Sequence, residues 1–275
     1  MSERFWFSAT QTHSSMSRNR SCRPLAYLLG DSITQFSFSG EHIGWGTLLA
    51  EFYEGRRVDV VNRGFSGYNS RWIRQILPTI APQETLQTSV FATIFLGAND
   101  SVAEGQSQHC PLVEFRSNIS AIVQHIRCVE PSIVIILITP PPIDHVTWAN
   151  QKIPGAETGR HSSQVMPYAQ TIRDLGAELH ADVLDLWQEG PYKIEFEDLC
   201  DGLHMGVKGN RKIFEGIVNI LQTRHPNLSH MPRYDCMDLH FPDWKELAGK
   251  SMEDTQAILD KWEWTPGGSG SNANP

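Results

Sequence analysis

The sequence predicts an α/β protein, a parallel sheet with helices packed on it, and three observations carry that prediction. Five short apolar stretches, at residues 25–29, 58–62, 89–96, 132–139 and 182–186, alternate with segments of helical periodicity, and strict alternation of this kind specifies parallel strands joined by helical crossovers. Residues 133–138 read IVIILI without a polar interruption, the profile of a strand covered on both faces and far too short to cross a bilayer. The first stretch runs directly into Gly30-Asp31-Ser32. Gly30 has no Cβ to obstruct a sharp turn, and ligands of open α/β sheets collect outside the carboxyl ends of the strands.

Each element has its own justification. After the first strand, Trp45, Leu48, Leu49 and Phe52 mark one face of a helix over 44–54. A glycine-punctuated loop, Arg63-Gly64-Phe65-Ser66-Gly67-Tyr68-Asn69, follows the second strand, and Ser70 is positioned to cap a helix with Trp72, Ile73, Ile76, Leu77 and Ile80 inward. The third strand ends in Gly97-Ala98-Asn99-Asp100. Leu112, Phe115, Ile119, Ile122, Ile126 and Val129 then recur at helical spacing. The fourth strand closes on Pro140-Pro141-Pro142, and residues 143–160 read as a loop or irregular lid edge. Val165, Ala169, Ile172, Leu175 and Leu179 form the next helix, and Ile213, Phe214, Ile217, Ile220 and Leu221 line the last one of the core.

The chain has 275 residues, 40% hydrophobic and 20% charged, which suits one large domain, placed at 25–225. Residues 1–24, with Arg4, Arg18, Arg20 and Arg23 among many Ser and Thr, read as a disordered arm; a targeting segment is the alternative. Residues 226–275 form an extension whose glycine-rich end is expected to be flexible. A net charge of -8 without a dense basic block argues against nucleic acid and anionic membrane partners. Five scattered cysteines, with no C-x-x-C, favour a reducing, cytoplasmic setting. Self-association is left open.

Three segments could converge on Ser32. Asp201-Gly202-Leu203-His204 allows the carboxylate to reach the imidazole Nδ1 while Nε2 faces a nucleophile; a capping Asp beside a surface His fits equally. The Asn99 amide, at a strand end, could donate to a developing oxyanion or simply form a turn. Gly67 could present an unhindered N–H or serve a turn needing positive φ.

Taken together, Gly30-Asp31-Ser32-Ile33, Gly67 within Gly64-Phe65-Ser66-Gly67-Tyr68-Asn69, Gly97-Ala98-Asn99-Asp100 and Asp201-Gly202-Leu203-His204 resemble the four blocks of the SGNH hydrolases, the GDSL esterase/lipase family. The extended first, second and fourth blocks are similar to those of isoamyl-acetate-hydrolysing esterases. The resemblance implies a three-layer α/β/α sandwich on a five-stranded parallel sheet. It implies Ser32 as nucleophile, His204 as base and Asp201 as its orienter, with Ser32, Gly67 and Asn99 as oxyanion donors. It further implies a serine esterase acting on small short-chain esters, with no cofactor. Ile33 replaces the Leu of the family name.

Other readings compete. A thioester, lysophospholipid or acetylated sugar could be the substrate, or the chain could bind a ligand without turnover. Ser66 is a rival nucleophile, but Tyr68 breaks the G-x-S-x-G pattern. His225, His230, Cys236 and His240 lack zinc-ligand spacing, so no metal is expected. Phe36 and Trp45 are candidates to wall a substrate pocket, with a core role the alternative, above all for Trp45.

Overall fold

The computed structural model describes residues 24–53, 58–152, 159–229 and 244–261. Five strands, β1 (Leu25–Gly30), β2 (Asp59–Gly64), β3 (Ser89–Phe95), β4 (Val134–Ile138) and β5 (Asp182–Leu184), form one sheet in the order β2-β1-β3-β4-β5. All pairings are parallel. The connecting helices are α1 (Ser32–Gln35), α2 (Trp45–Phe52), α3 (Ser70–Ile80), α4 (Gln83–Leu86), α5 (Leu112–Val129), α6 (His145–Lys152), α7 (Ser162–Glu178) and α8 (Val207–Arg224). Three short helices follow, α9 (Pro226–Ser229), α10 (Trp244–Leu247) and α11 (Met252–Lys261).

Alternate strand residues face opposite sides of the sheet, and the two cores divide accordingly. Ala26, Leu28, Phe91, Phe95, Ile136 and Ile138 meet α2 and α8 through Trp45, Leu49, Ile213 and Ile217. Tyr27, Leu29, Ala92, Ile94, Ile135 and Leu137 meet α3, α5 and α7 through Ile73, Leu77, Phe115, Ile119 and Ile172. The result is the three-layer α/β/α sandwich on a five-stranded parallel sheet that the sequence led us to expect. Strand order reverses between β1 and β3, the switch point where such sheets open a crevice. Gly30 pairs with Gly64 on one side and Phe95 on the other, so the first three strands end level and their loops emerge together. A Cβ on Gly30 would lie 2.1 Å from Thr34 Oγ1 and 2.5 Å from the Phe95 carbonyl, and only glycine lets α1 start this close to the sheet.

Three expectations change. Residues 143–160 are not all loop: α6 occupies Asp144's wake, because the Asp144 carboxylate accepts from the Val146 and Thr147 N–H groups and caps the helix. The cap of α3 is Asn69, which accepts from the Trp72 N–H; Ser70 is already helical and its hydroxyl donates to Asp100. Trp45 is a core residue, fully buried against Phe95 with its indole N–H donating to the Ile33 carbonyl, and does not wall a pocket. The 1–24 arm, apart from Pro24, and the glycine-rich end lie outside the described residues. Among the described residues no helix is long and apolar enough to cross a membrane.

Candidate active site

Ser32 opens α1 immediately after β1. Asp31 caps the helix by accepting the Ile33 N–H at 2.9 Å, which aims the Ser32 side chain out of the sheet. As the first helical residue, Ser32 has a backbone N–H without an intrahelical acceptor. Asp31 itself is fully buried, and burial pushes its carboxyl up to about 7, against the opposing pull of the Ile33 N–H.

The opposite wall comes from the loop before α8. A single antiparallel bridge, Leu199 with Met205, pinches this loop, and the Cys200 N–H donates to the His204 carbonyl at 2.9 Å. Inside the pinch, Asp201 Oδ1 accepts the N–H groups of Leu203 and His204 at 3.0 and 2.7 Å. That leaves Oδ2 for His204 Nδ1, 2.6 Å away, and His204 Nε2 lies 2.8 Å from Ser32 Oγ. Burial pushes the Asp201 carboxyl up, but the bonds from the His204 ring and backbone N–H outweigh it and hold the group at about 2. A carboxylate that stays ionised keeps the proton of a neutral imidazole on Nδ1, so Nε2 is the acceptor toward Ser32.

Two aromatic rings flank the imidazole edge-on: Phe36 at 5.1 Å and Trp148 of α6 at 5.8 Å between centroids. Gly202, at φ +91°, is what lets α6 dock here, since a Cβ would meet the Asp144 carbonyl at 2.5 Å and the Trp148 N–H nitrogen at 2.6 Å.

The loops after β2 and β3 close the third side. The Ser66 N–H donates to Gln35 Oε1 at 2.7 Å and Gly67 adopts φ +82°. Asn99, 3% exposed, donates one amide N–H to the Tyr68 carbonyl at 2.9 Å. Its Oδ1 accepts from Arg160 at 2.9 Å and from Gln108 Nε2 at 3.2 Å. Ser32 at the start of α1 and Gly67 and Asn99 in the loops after β2 and β3 thus leave adjacent strand ends, and these segments are tied to one another by hydrogen bonds. Chemically, the Ser32–His204–Asp201 chain can raise the nucleophilicity of a hydroxyl, and N–H groups beside it can stabilise an anion.

A cleft of about 270 Å³ runs beside the imidazole, lined by the apolar Ile33, Phe36 and Met205 and by the polar Glu41, His42 and Asn210. Phe36 is 43% exposed there. Ser66 is exposed, and the imidazole that could serve it is already bonded to Ser32. Of the loose tail cluster, His225 is paired with Asp182 at 2.5 Å, while His230, Cys236 and His240 lie outside the described residues. Sequence reasoning missed Trp148, Gln108 and Arg160. The Asp144 cap foreshadows the helix carrying Trp148; nothing local in the sequence singles out the other two.

The chain matches the GDSL-like Lipase/Acylhydrolase family over residues 28–212. It is 39% identical over 236 residues to the human isoamyl acetate-hydrolyzing esterase 1 homolog, covering 84% of this chain and 90% of that protein. A GDSL esterase/lipase of Arabidopsis thaliana is 35% identical over 240 residues, with 83% and 96% covered. In fold, the chain is similar to a lipase/acylhydrolase from Enterococcus faecalis (TM-score 0.55, 23% identity, 73% of this chain and 96% of that one). It is also similar to the acetylxylan esterase Axe2 from Geobacillus stearothermophilus (TM-score 0.53, 20% identity, 71% and 93% covered). With motif blocks, sheet order and these relatives in agreement, the chain is a carboxylic ester hydrolase and belongs to the GDSL-like lipase/acylhydrolase family.

Proposed function

We propose that this protein hydrolyses small, water-soluble esters with short acyl groups through an acyl-enzyme on Ser32. The observation that carries the reading is the continuous chain from Asp201 through His204 to Ser32, with contacts of 2.6 and 2.8 Å. In this mechanism His204 Nε2 takes the Ser32 hydroxyl proton as Oγ attacks the ester carbonyl. The carbonyl oxygen becomes an oxyanion facing the N–H groups of Ser32, Gly67 and the Asn99 side chain. Collapse breaks the ester bond, and the alcohol departs with the proton held on Nε2. A water then gives a proton to Nε2 and attacks the acyl carbon, and the acid leaves as Ser32 recovers its hydrogen. Asp201 stays ionised throughout and stabilises the transient imidazolium.

Size supports the substrate class. A cleft of about 270 Å³ is at the lower edge of small-molecule sites, which span roughly 300–1,000 Å³. Its apolar lining is limited to Ile33, Phe36 and Met205, beside the polar Glu41, His42 and Asn210. That apolar lining would bury a few methylenes, each worth about 0.8 kcal/mol. Relatives named for isoamyl acetate hydrolysis point the same way. A p-nitrophenyl ester series from acetate to palmitate, run without detergent beside isoamyl acetate, tests this. We expect kcat/KM to peak at acyl chains of about two to six carbons. A peak at long chains, or activation by micelles, would replace this reading with a lipase.

We also take residues 25–225 as the hydrolase domain and the remainder as extensions, and the cytoplasm as the compartment. The free cysteines Cys110, Cys128 and Cys200 support a reducing environment. Limited proteolysis that cut first inside 25–225, or fractionation into an organelle, would count against these assignments.

A further inference from the structure

Arg160 is a buried cation, 7% exposed, at the edge of the β3 loop. Its guanidinium donates to the Ala98 carbonyl at 2.7 Å, to Asn99 Oδ1 at 2.9 Å and to Gln108 Oε1 at 2.7 Å. The Gln108 amide nitrogen in turn donates to the Gly67 carbonyl at 2.7 Å and to Asn99 Oδ1 at 3.2 Å. One cation and one amide therefore link the segment of Gly67 to that of Asn99.

We propose that Arg160 and Gln108 are positioning residues that orient and strengthen the oxyanion donors, an inference that rests on the roles assigned above to Asn99 and Gly67. A guanidinium has five donors and no acceptor. The amide oxygens of Asn99 and Gln108 must both face Arg160, and neither side chain can flip. Asn99 Oδ1 then has two donors on it, which leaves only its NH₂ to face the Tyr68 carbonyl and the site. Gln108, oriented the same way, must present its NH₂ to the Gly67 carbonyl, holding in place a glycine at φ +82° that has little stiffness of its own. Accepting from a cation also polarises the Asn99 amide, making its N–H a better donor to an anion. The same guanidinium lies 5.8 Å from the Trp148 ring centroid, and Trp148 meets His204, so both halves of the site share this support.

The experiment compares Asn99→Ala, Arg160→Met, Gln108→Glu and the double variants with Asn99→Ala, on p-nitrophenyl acetate and on a trifluoromethyl ketone whose hemiketal oxygen mimics the oxyanion. Gln108→Glu keeps size and the Arg160 contact but sets a carboxylate oxygen against the Gly67 carbonyl, so Gln108→Met, which removes the N–H donors without adding charge, is measured beside it and should show the same loss of kcat. We expect kcat to fall about 10- to 100-fold for Arg160→Met and Gln108→Glu, with KM within about threefold, and ketone affinity to fall in parallel. Each double variant should lose less than the product of its two single losses, because the share acting through Asn99 is already gone while the share acting through Gly67 remains. Unchanged kcat in both single variants, or losses that multiply in the doubles, would overturn the inference. If Asn99→Ala itself leaves kcat unchanged, the oxyanion role of Asn99 fails and the inference fails with it. Should Arg160→Met not fold by circular dichroism, the uncharged Gln108→Met and its double variant with Asn99→Ala decide the question.

Discussion

His204 Nε2 lies 2.8 Å from Ser32 Oγ, although 172 positions separate the two residues in the chain. Their contact joins the start of α1 to the loop before α8, brought together because β1 sits near the centre of the sheet and α8 packs with α2 on the same face.

Ser32→Ala is expected to abolish ester hydrolysis while leaving the far-ultraviolet circular dichroism and Tm near wild type, because only the hydroxyl oxygen is lost. His204→Ala should reduce kcat by about 10⁴ or more. Near-normal turnover in either folded variant would remove that residue from the mechanism.

Asp201→Asn keeps an oxygen for the Leu203 and His204 backbone N–H groups but replaces the ionised Oδ2 at the ring. The loop should hold its shape while the imidazole loses its tautomer and its counter-charge. We expect kcat to fall by about 10³–10⁴, no more than for His204→Ala, with KM little changed. A loss confined to KM would place Asp201 in substrate binding instead.

Asp31 produces a pH dependence of stability with a definite sign. Its buried carboxyl keeps its proton up to about 7, whereas the unfolded chain loses it near 3.8. Between these values the native state binds the extra proton, so this group lowers stability as pH rises from about 4 to about 7. Asp201 works in the opposite sense: its carboxyl is held at about 2, so its contribution is complete above about pH 4 and disappears as pH falls toward 2. Asp31→Asn, which still accepts the Ile33 N–H, should therefore raise Tm by a few degrees at pH 8, at about 2–4 °C per kcal/mol. The gain should vanish near pH 4. Thermal melts of both proteins that stay parallel across that range would show that Asp31 ionises normally in the fold.

Phe36→Ala and Trp45→Phe should separate a pocket wall from a core residue. Removing the exposed Phe36 ring takes away the edge contact on His204 and one side of the cleft. An aromatic contact of about 0.5–1.5 kcal/mol predicts a 2- to 10-fold fall in kcat/KM on isoamyl acetate with little change in Tm. Trp45→Phe opens a void beside Phe95 and frees the Ile33 carbonyl, so Tm should drop while KM stays constant. The reverse pattern would exchange the two roles.

How much of this was legible in the sequence follows from the range of each interaction. The strands and long helices are local: apolar runs flanked by turn residues give β1 to β5, and helical spacing gives α2, α3, α5, α7 and α8, each within a few residues of its expected bounds. The motif blocks point to Ser32, Gly67 and Asn99 beside strand ends and to Asp201 and His204 in the loop before α8. The sequence already favours a core role for Trp45 over Phe36, since helical spacing puts Trp45 on the inward face, but burial in the fold is what separates them: Trp45 is fully buried and Phe36 exposed. Helix α6 was missed, since residues 143–160 read as loop, and its docking against Gly202 is what brings Trp148 to the imidazole. Arg160 and Gln108 carried no local signal at all. Their partners are Ala98, Asn99 and Gly67, up to 62 positions away, and a buried guanidinium is tolerated only where carbonyl and amide oxygens from separate loops surround it. That enclosure exists only once the sheet has aligned the loop ends, so the tertiary structure alone decided it.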